Sequence, residues 1–282
     1  EHPALDATRQ GFEDGIKDLG IDGEIVYQNA QGDITIALSI AEKFVKDRVD
    51  LIYTIATPAA QAAKQATGEI PILFSAVTDP VVDELIESLE RPGGNITGTS
   101  DKSPMEEQLA LFKEIDSSIE KIGIVFNTSE SNSKIQVDMA EEMGEMLGLE
   151  IISMGISNIN DMPQAMDSLV KKVDGIYTIT DNMVASAINV VSQKATSNGL
   201  VSVGAEEAHV AGGILISKGI SYYELGRQTA QMAKEILVEG KSPANIPAQT
   251  SNKIEKTFNE ETLKTLNLDI NSNIFKDAKK ID

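Results

Sequence analysis

Four short polar segments of this sequence each follow an apolar run, and their hydroxyl, amide and carboxylate side chains could hydrogen-bond a small polar molecule. They are residues 56–60, 75–80, 127–133 and 180–182. The apolar runs before them are typical of strands in a parallel sheet that is covered on both faces. Because ligands of open parallel sheets bind at the carboxyl ends of the strands, these segments are where a site is expected.

The segment 56–60 has the composition of a helix start. Thr57 can cap a helix that has Pro58 at its first position. The N–H groups of Ala59 and Ala60 would then be available to an anion such as a ligand carboxylate. An ordinary capped helix, without any ligand, explains the same residues. The local sequence leaves both interpretations open.

The other three segments allow the same two interpretations. Their short polar side chains follow strands directly, and such side chains either bind a ligand or cap the next helix. Asp181 adds a carboxylate that could pair with a ligand ammonium in a water-poor crevice. The candidate ligand-binding residues in these segments are Ser75, Thr78, Asp79, Asn127, Ser129, Asn132, Ser133, Asp181 and Asn182.

No group of residues predicts catalysis or metal binding. Glu206 and His209 lie close together, but no second histidine follows at helical spacing, so we expect no metal site. The sequence has no glycine-rich phosphate loop, no nucleophile elbow and no cysteine. We therefore expect no cofactor and no enzymatic activity.

Composition narrows the function classes further. The 282 residues include 24 Lys and Arg against 44 Asp and Glu, a net charge of −20. So negative a chain repels phosphate backbones, and nucleic-acid binding is not expected. No apolar run approaches the roughly 20 residues of a membrane span. The sequence opens at Glu1 without a methionine, so we expect that a signal or anchoring segment has been removed.

Hydrophobic periodicity predicts alternating helices and strands along the chain. One series ends near residue 100 and a second begins at Met105, which indicates an α/β protein with two Rossmann-like lobes and parallel sheets. The first helix starts near Pro3 or Leu5 with no strand before it, so the first strand is expected to be missing from this sequence. The pattern also predicts a strand at 24–29, a helix at 81–89 and a short helix at 259–266.

Several motifs connect the sequence to a known family. Residues 56–60, 75–80 and 91–98 resemble, in order and spacing, the substrate-binding proteins of ABC transporters, in particular the tryptophan/tyrosine-type binding lipoproteins. The match continues through the second half of the chain at residues 181–182, 204–206, 212–213 and 222–228. It covers essentially the whole sequence.

This resemblance implies a type I periplasmic binding protein fold, with two lobes joined by a hinge of three crossovers. The crossovers are expected near residues 99–102, 219–222 and 247–251. Residues 1–100 with 221–248 would form lobe 1 and residues 101–220 lobe 2. Residues 249–282 would form a C-terminal segment that crosses back between the lobes.

The resemblance also implies roles for individual residues. The α-carboxylate of an amino acid would be held by Thr57, Ala59, Ala60 and Thr78. The α-ammonium would be taken by Asp181. Further polar contacts would come from Asn127, Ser129 and Asn132, with Glu206 and His2 also in the site.

The implied function is that of an extracytoplasmic solute-binding protein of an ABC importer, either in the periplasm or as a cell-surface lipoprotein. It would bind an aromatic amino acid between its lobes by hinge closure, act as a monomer, not span the membrane, and deliver its ligand to the permease subunits. The same clamp could instead bind a branched-chain amino acid, a sugar or a peptide, or serve as an intracellular ligand sensor.

Overall fold

In the computed structural model of the chain, residues 2–251 and 253–281 are described, and they form eleven strands and twelve α-helices. The strands are β1 (Ile52–Ile55), β2 (Ile72–Val77), β3 (Ile96–Ser100), β4 (Lys121–Asn127), β5 (Glu150–Ile156), β6 (Gly175–Thr178), β7 (Val201–Gly204), β8 (Ile216–Ile220), β9 (Gln249–Thr250), β10 (Ile254–Asn259) and β11 (Lys279–Ile281). The helices are α1 (Pro3–Asp18), α2 (Ile34–Asp47), α3 (Thr57–Ala66), α4 (Met105–Ile115), α5 (Ser131–Leu147), α6 (Met162–Leu169), α7 (Asn182–Ser186), α8 (Ile188–Ser197), α9 (Glu207–Ala211), α10 (Tyr222–Leu237), α11 (Glu260–Thr265) and α12 (Asn273–Lys276).

The chain divides into two compact units. The first unit comprises Pro3–Lys102 and Ser221–Lys253. The second unit comprises Ser103–Ile220 and Ile254–Asp282 and also includes His2. From Pro3 onward the chain therefore passes between the units three times. The expected lobe limits at residues 1 and 282 lie outside the described residues.

The first unit is built on a four-stranded parallel sheet in the order β1-β2-β3-β9. Successive residues of β2 point to opposite faces, as the period of a strand requires. Leu73 packs with Phe12 of α1 and with α10, whereas Phe74 packs with α2 and α3. Both faces of the sheet are thus covered by helices, which explains why β2 is apolar at nearly every position.

Helices α1 and α10 approach each other closely because glycines lie at their crossing. A Cβ atom on Gly226 would lie 2.0 Å from the carbonyl oxygen of Thr8, and one on Gly11 would lie 2.0 Å from that of Tyr223. Real Cβ atoms do not come so near to backbone atoms. Only a residue without a side chain allows this approach.

The second unit contains a seven-stranded sheet in the order β11-β10-β8-β7-β6-β4-β5. All neighbouring strands are parallel except β10 and β8. Ile176 and Tyr177 of β6 enter hydrophobic cores on opposite faces of the sheet. The structure confirms the predicted α/β class with parallel-dominated sheets. None of the helices within residues 2–251 and 253–281 has the length and apolar character of a membrane span.

Three segments differ from the sequence-based prediction. Residues 24–29 form no strand, and Ile25, Val26 and Tyr27 are about half exposed. The predicted helix at 81–89 is wrong. Its first turn is held by the Asp79 carboxylate, which accepts from the N–H groups of two valines, and Glu84 has a φ of 54°. The C-terminal segment contains the expected helix, α11, and also supplies β10 and β11 to the second sheet.

Candidate ligand-binding site

The carboxyl ends of β1, β2 and β3 meet at one edge of the first unit, because these strands are parallel neighbours. Two alanines at this edge have strained backbones. Ala56, which follows β1, has φ 78° and ψ 153°, and Ala76 of β2 has φ 56°. A non-glycine residue in such a conformation costs about 1–3 kcal/mol, and strain of this kind concentrates at ligand sites.

The start of α3 lies at this edge, one residue earlier than the sequence predicts. Ala56 is the N-cap, without a side-chain cap hydrogen bond, and Thr57 is the first helical residue. The prediction that the N–H of Ala60 is available is therefore wrong, because it donates to the Ala56 carbonyl at 3.2 Å. Helix geometry leaves the N–H groups of Thr57 and Ala59 without a helical acceptor, since Pro58 has no N–H.

Ser75 is fully buried beneath this edge. Its hydroxyl accepts from Tyr53 Oη at 3.0 Å and from Thr99 Oγ1 at 3.1 Å, and it also bonds Thr229. These partners belong to three different elements of the first unit. The hydroxyl therefore ties the sheet to α10, and a ligand role for Ser75 stays a prediction.

Thr78 and Asp79 lie directly after β2. The Asp79 carboxylate accepts from the N–H groups of Val81 and Val82 at 3.2 and 3.1 Å, so it shapes the following turn. Thr78 is buried, and its carbonyl accepts from Ser100 Oγ at 2.9 Å. Both are placed at the same edge as the start of α3.

Asp101 is a residue that sequence reasoning missed at this edge. It follows β3, is 4% exposed, and accepts from Tyr222 Oη at 2.9 Å. Burial raises the pKa of its carboxyl, and hydrogen bonds with Tyr222 and Thr78 oppose that rise. Its position directly after an extended segment was the one feature of the sequence that could have indicated a place at the strand ends. Asp101 and Tyr222 both belong to the first unit, and each lies next to a chain crossing in the sequence.

The second group of predicted residues lies at the carboxyl ends of β4, β6 and β7, which are parallel neighbours in the second unit. Asp181 is the centre of this group and is 1% exposed. One carboxylate oxygen accepts from the Asn127 N–H at 2.6 Å and from Ser133 Oγ at 2.7 Å. The other accepts from the Val184 N–H at 2.9 Å, which makes Asp181 the N-cap of α7.

Glu130 is the second residue that sequence reasoning missed. It lies between the predicted residues Ser129 and Asn132, in a segment that was interpreted through its uncharged side chains. Its carboxylate accepts from Asn127 Nδ2 at 2.8 Å and from Asn182 Nδ2. Burial, and then the charge of Asp181, raise the pKa of Glu130, and burial also raises the pKa of Asp181.

The start of α5 adds two amides to the same edge. Asn132 is buried and donates from Nδ2 to the Thr180 carbonyl at 3.1 Å. Gln136 donates to the same carbonyl at 2.9 Å. Ser129 is exposed, and its N–H donates to Asn127 Oδ1 at 3.0 Å.

Glu206, His209 and His2 form a third part of this edge. Glu206 is 2% exposed and lies 3.2 Å from Nε2 of the equally buried His209, whose Nδ1 lies 3.0 Å from Thr178 Oγ1. Burial, and then the charge of His2, lower the pKa of His209 to about 3. His209 is therefore neutral near pH 7, and Glu206 faces a neutral imidazole.

This buried imidazole predicts a loss of stability in acid. In the unfolded chain His209 takes up a proton below about pH 6.5, whereas in the folded protein it stays neutral until about pH 3. The free energy of unfolding should therefore decrease as the pH is lowered through this window, by up to about 1.4 kcal/mol per pH unit. In His209→Gln this contribution is absent, so denaturant titrations from pH 7 to pH 4 should show the variant losing less stability than the wild type.

His2→Gln is the matched control, because it removes the other histidine of the chain. We expect it to keep most of the acid dependence, since burial, the larger cause of the lowered His209 pKa, is unchanged. Parallel pH curves for wild type and His209→Gln would contradict the assignment of a neutral His209.

Comparison with known proteins shows which family this chain resembles. A family profile described as ABC transporter substrate binding protein matches residues 1–282. The tyrosine-binding protein of Clostridioides difficile (strain R20291) is 45% identical over 272 residues, which are 95% of this chain and 79% of that protein. A structure from Streptococcus pneumonia, an ABC domain in complex with L-Trp, is 30% identical, with a TM-score of 0.94 over 100% of this chain and 97% of the other.

A third relative was solved without a ligand. It is the ligand-free, open structure of a substrate binding protein with adhesive properties from Clostridium difficile, 42% identical, with a TM-score of 0.77 over 100% of this chain and 96% of the other. The family match spans the whole sequence, and its relatives cover nearly all of it. This chain therefore belongs to the ABC transporter substrate-binding protein family.

Proposed function

We propose that the chain is the extracytoplasmic substrate-binding component of an ABC importer and that it binds an aromatic amino acid. The observation that carries the proposal is the contrast between the two edges. The first-unit edge offers N–H groups at the start of α3, which suit a carboxylate. The second-unit edge offers buried carboxylates, which suit an ammonium group. An amino acid carries both groups.

The preference for an aromatic side chain is proposed from the relatives. The relative from Clostridioides difficile is a tyrosine-binding protein, and the streptococcal structure holds L-Trp. Aromatic rings bury a large apolar area and so contribute strongly to binding. The proposal therefore names L-Tyr, L-Trp and L-Phe as the first ligands to test.

The mechanism that we propose is capture by hinge closure, with the chain acting as a monomer that hands its ligand to permease subunits and catalyses no reaction. From Pro3 onward three chain crossings connect the two units, and one relative was solved in an open, ligand-free form. A ligand that gains contacts only in a closed form shifts the population toward that form. The closed form would then be what the permease recognises.

The first test is a thermal-unfolding screen of protein that has been unfolded and refolded to remove any carried-over ligand. A ligand that binds only the folded state stabilises it by about 2.7 kcal/mol when its free concentration is 100 times Kd. We expect L-Tyr, L-Trp or L-Phe to raise Tm, and the size of the shift to grow with concentration. Sugars and D-amino acids serve as controls in the same buffer.

The outcomes separate the alternatives. A shift confined to branched-chain amino acids, to sugars or to peptides would contradict the aromatic preference while keeping a binding function. No shift with any of the twenty amino acids would contradict amino-acid binding altogether.

A further inference from the structure

Two carboxylates at the second-unit edge, the buried Asp181 and the half-buried Glu130, have no cationic partner among the residues that the structure describes. Asp181 and Glu130 lie close enough to interact, and each has its pKa raised chiefly by burial. Within residues 2–251 and 253–281, neither forms an ion pair with a Lys, Arg or His side chain. Buried charge is costly unless it is paired. A positively charged group would therefore bind favourably here.

The two carboxylates differ in how exposed they are. Asp181 is 1% exposed and already receives three hydrogen bonds, two of them from backbone N–H groups. Glu130 is half-buried and also accepts three hydrogen bonds, from the side-chain amides of Asn127 and Asn182 and from the Asn182 N–H at 3.4 Å. A carboxylate has about four acceptor positions, so Glu130, which is less buried than Asp181, keeps room for one further donor. Glu130, rather than Asp181, presents the accessible carboxylate.

Asn132 supplies a second, independent indication of a ligand. Its side chain is 4% exposed, and its amide orientation is fixed because the Thr180 carbonyl can only accept. Its Oδ1 is buried and has no hydrogen-bond partner among the described residues. A buried acceptor without a donor costs about 1–3 kcal/mol. Asn132 lies two residues after Glu130, at the start of the same helix.

We propose that Glu130 and Asn132 bind the ammonium group of the amino-acid ligand, and that Asp181 positions them without contacting the ligand. The inference rests on the proposed amino-acid binding. An ammonium group brings both a positive charge for Glu130 and several N–H donors, one of which would supply the hydrogen bond that Asn132 Oδ1 lacks. A neutral hydroxyl or amide could satisfy Asn132 but would leave the carboxylates uncompensated.

This assignment makes Glu130 a specificity-determining residue. It should distinguish L-tyrosine from its deaminated analogue, 3-(4-hydroxyphenyl)propanoate, which keeps the ring and the carboxylate but lacks the ammonium group. Charge-assisted hydrogen bonds are among the stronger ones in proteins. Glu130→Gln keeps the shape of the side chain and removes its charge, so it should weaken tyrosine binding by ~10- to 100-fold.

The test is isothermal titration calorimetry with both ligands on wild type, Glu130→Gln and the control Glu142→Gln, an exposed carboxylate on α5. We expect Glu130→Gln to lose affinity for tyrosine while its affinity for the analogue is unchanged or increased, so that the preference for tyrosine collapses. Glu142→Gln should behave as wild type. A general folding defect would lower the affinity for both ligands together.

Asn132→Ser gives a second test that does not depend on the folding of Glu130→Gln. The Thr180 carbonyl keeps its hydrogen bond from Gln136 in this variant, so the local structure retains a donor there. We expect a selective loss of tyrosine affinity. If wild type binds tyrosine and both variants keep its affinity, the ammonium assignment is overturned but amino-acid binding stands. If wild type binds no amino acid, the proposed function fails and the assignment fails with it.

Discussion

Replacing Gly226 by Ala is expected to lower the free energy of unfolding of the first unit by about 3 kcal/mol, at the upper end of the cost of overpacking. The added methyl group would lie 2.0 Å from the Thr8 carbonyl oxygen and 2.8 Å from the Phe12 nitrogen. Both are backbone atoms of α1, which cannot rotate away as a side chain could. The helices must therefore separate, which loosens the core around Phe12 and Ala230.

Gly23→Ala is the matched control for this prediction. A Cβ atom at Gly23 meets nothing within 4 Å, and its φ is not in the left-handed region. Urea titrations should show a large loss for Gly226→Ala and almost none for Gly23→Ala. Similar midpoints for the two variants would show that α1 and α10 do not approach as described.

Replacing Asp181 by Ala is expected to destabilise the second unit by about 3 kcal/mol, since it removes a helix cap worth about 1 kcal/mol and leaves two further buried donors without acceptors. Those donors are the Asn127 N–H and the Ser133 hydroxyl, both within 2.7 Å of the carboxylate. Asp181→Asn should lose less, because the amide oxygen still accepts. Calorimetric unfolding at pH 7 measures both losses.

Asp33→Ala separates the cap from the buried network. Asp33 caps α2 by accepting from the N–H groups of Thr35 and Ile36, but it lies in an exposed position. Its replacement should cost about 1 kcal/mol, typical of an N-cap. Equal losses for Asp33→Ala and Asp181→Ala would contradict a structural role for the Asp181 network.

The alternation of helices and strands could be predicted because the spacing of apolar residues along the chain determines most of it. The prediction was wrong where contacts between segments distant in the sequence determine the structure. Residues 24–29 have the composition of a strand, yet within the described residues no neighbour pairs with them. Strands β10 and β11 were missed because they contain charged and polar residues such as Lys256 and Lys279, which an edge region of a sheet tolerates.

The candidate site could be predicted as a set of loops but not as a set of roles. Parallel topology brings the strand ends together, so the loops were found from the pattern. Whether a hydroxyl points into the core, as in Ser75, or into a loop depends on side-chain packing that a single sequence does not contain. For the same reason Glu130 was overlooked, although it lies inside a predicted segment.

The position of β10 has a consequence for how the molecule is made. Strand β10 lies between β8 and β11, but it is encoded after the last crossing, beyond every residue of the first unit. During synthesis the first unit can close before the second, and this edge of β8 stays unpaired until β10 has left the ribosome. An open strand edge is a template for pairing with other chains. Pairing with other chains during biosynthesis is therefore favoured in this interval, and the docking of β10 onto β8 ends it.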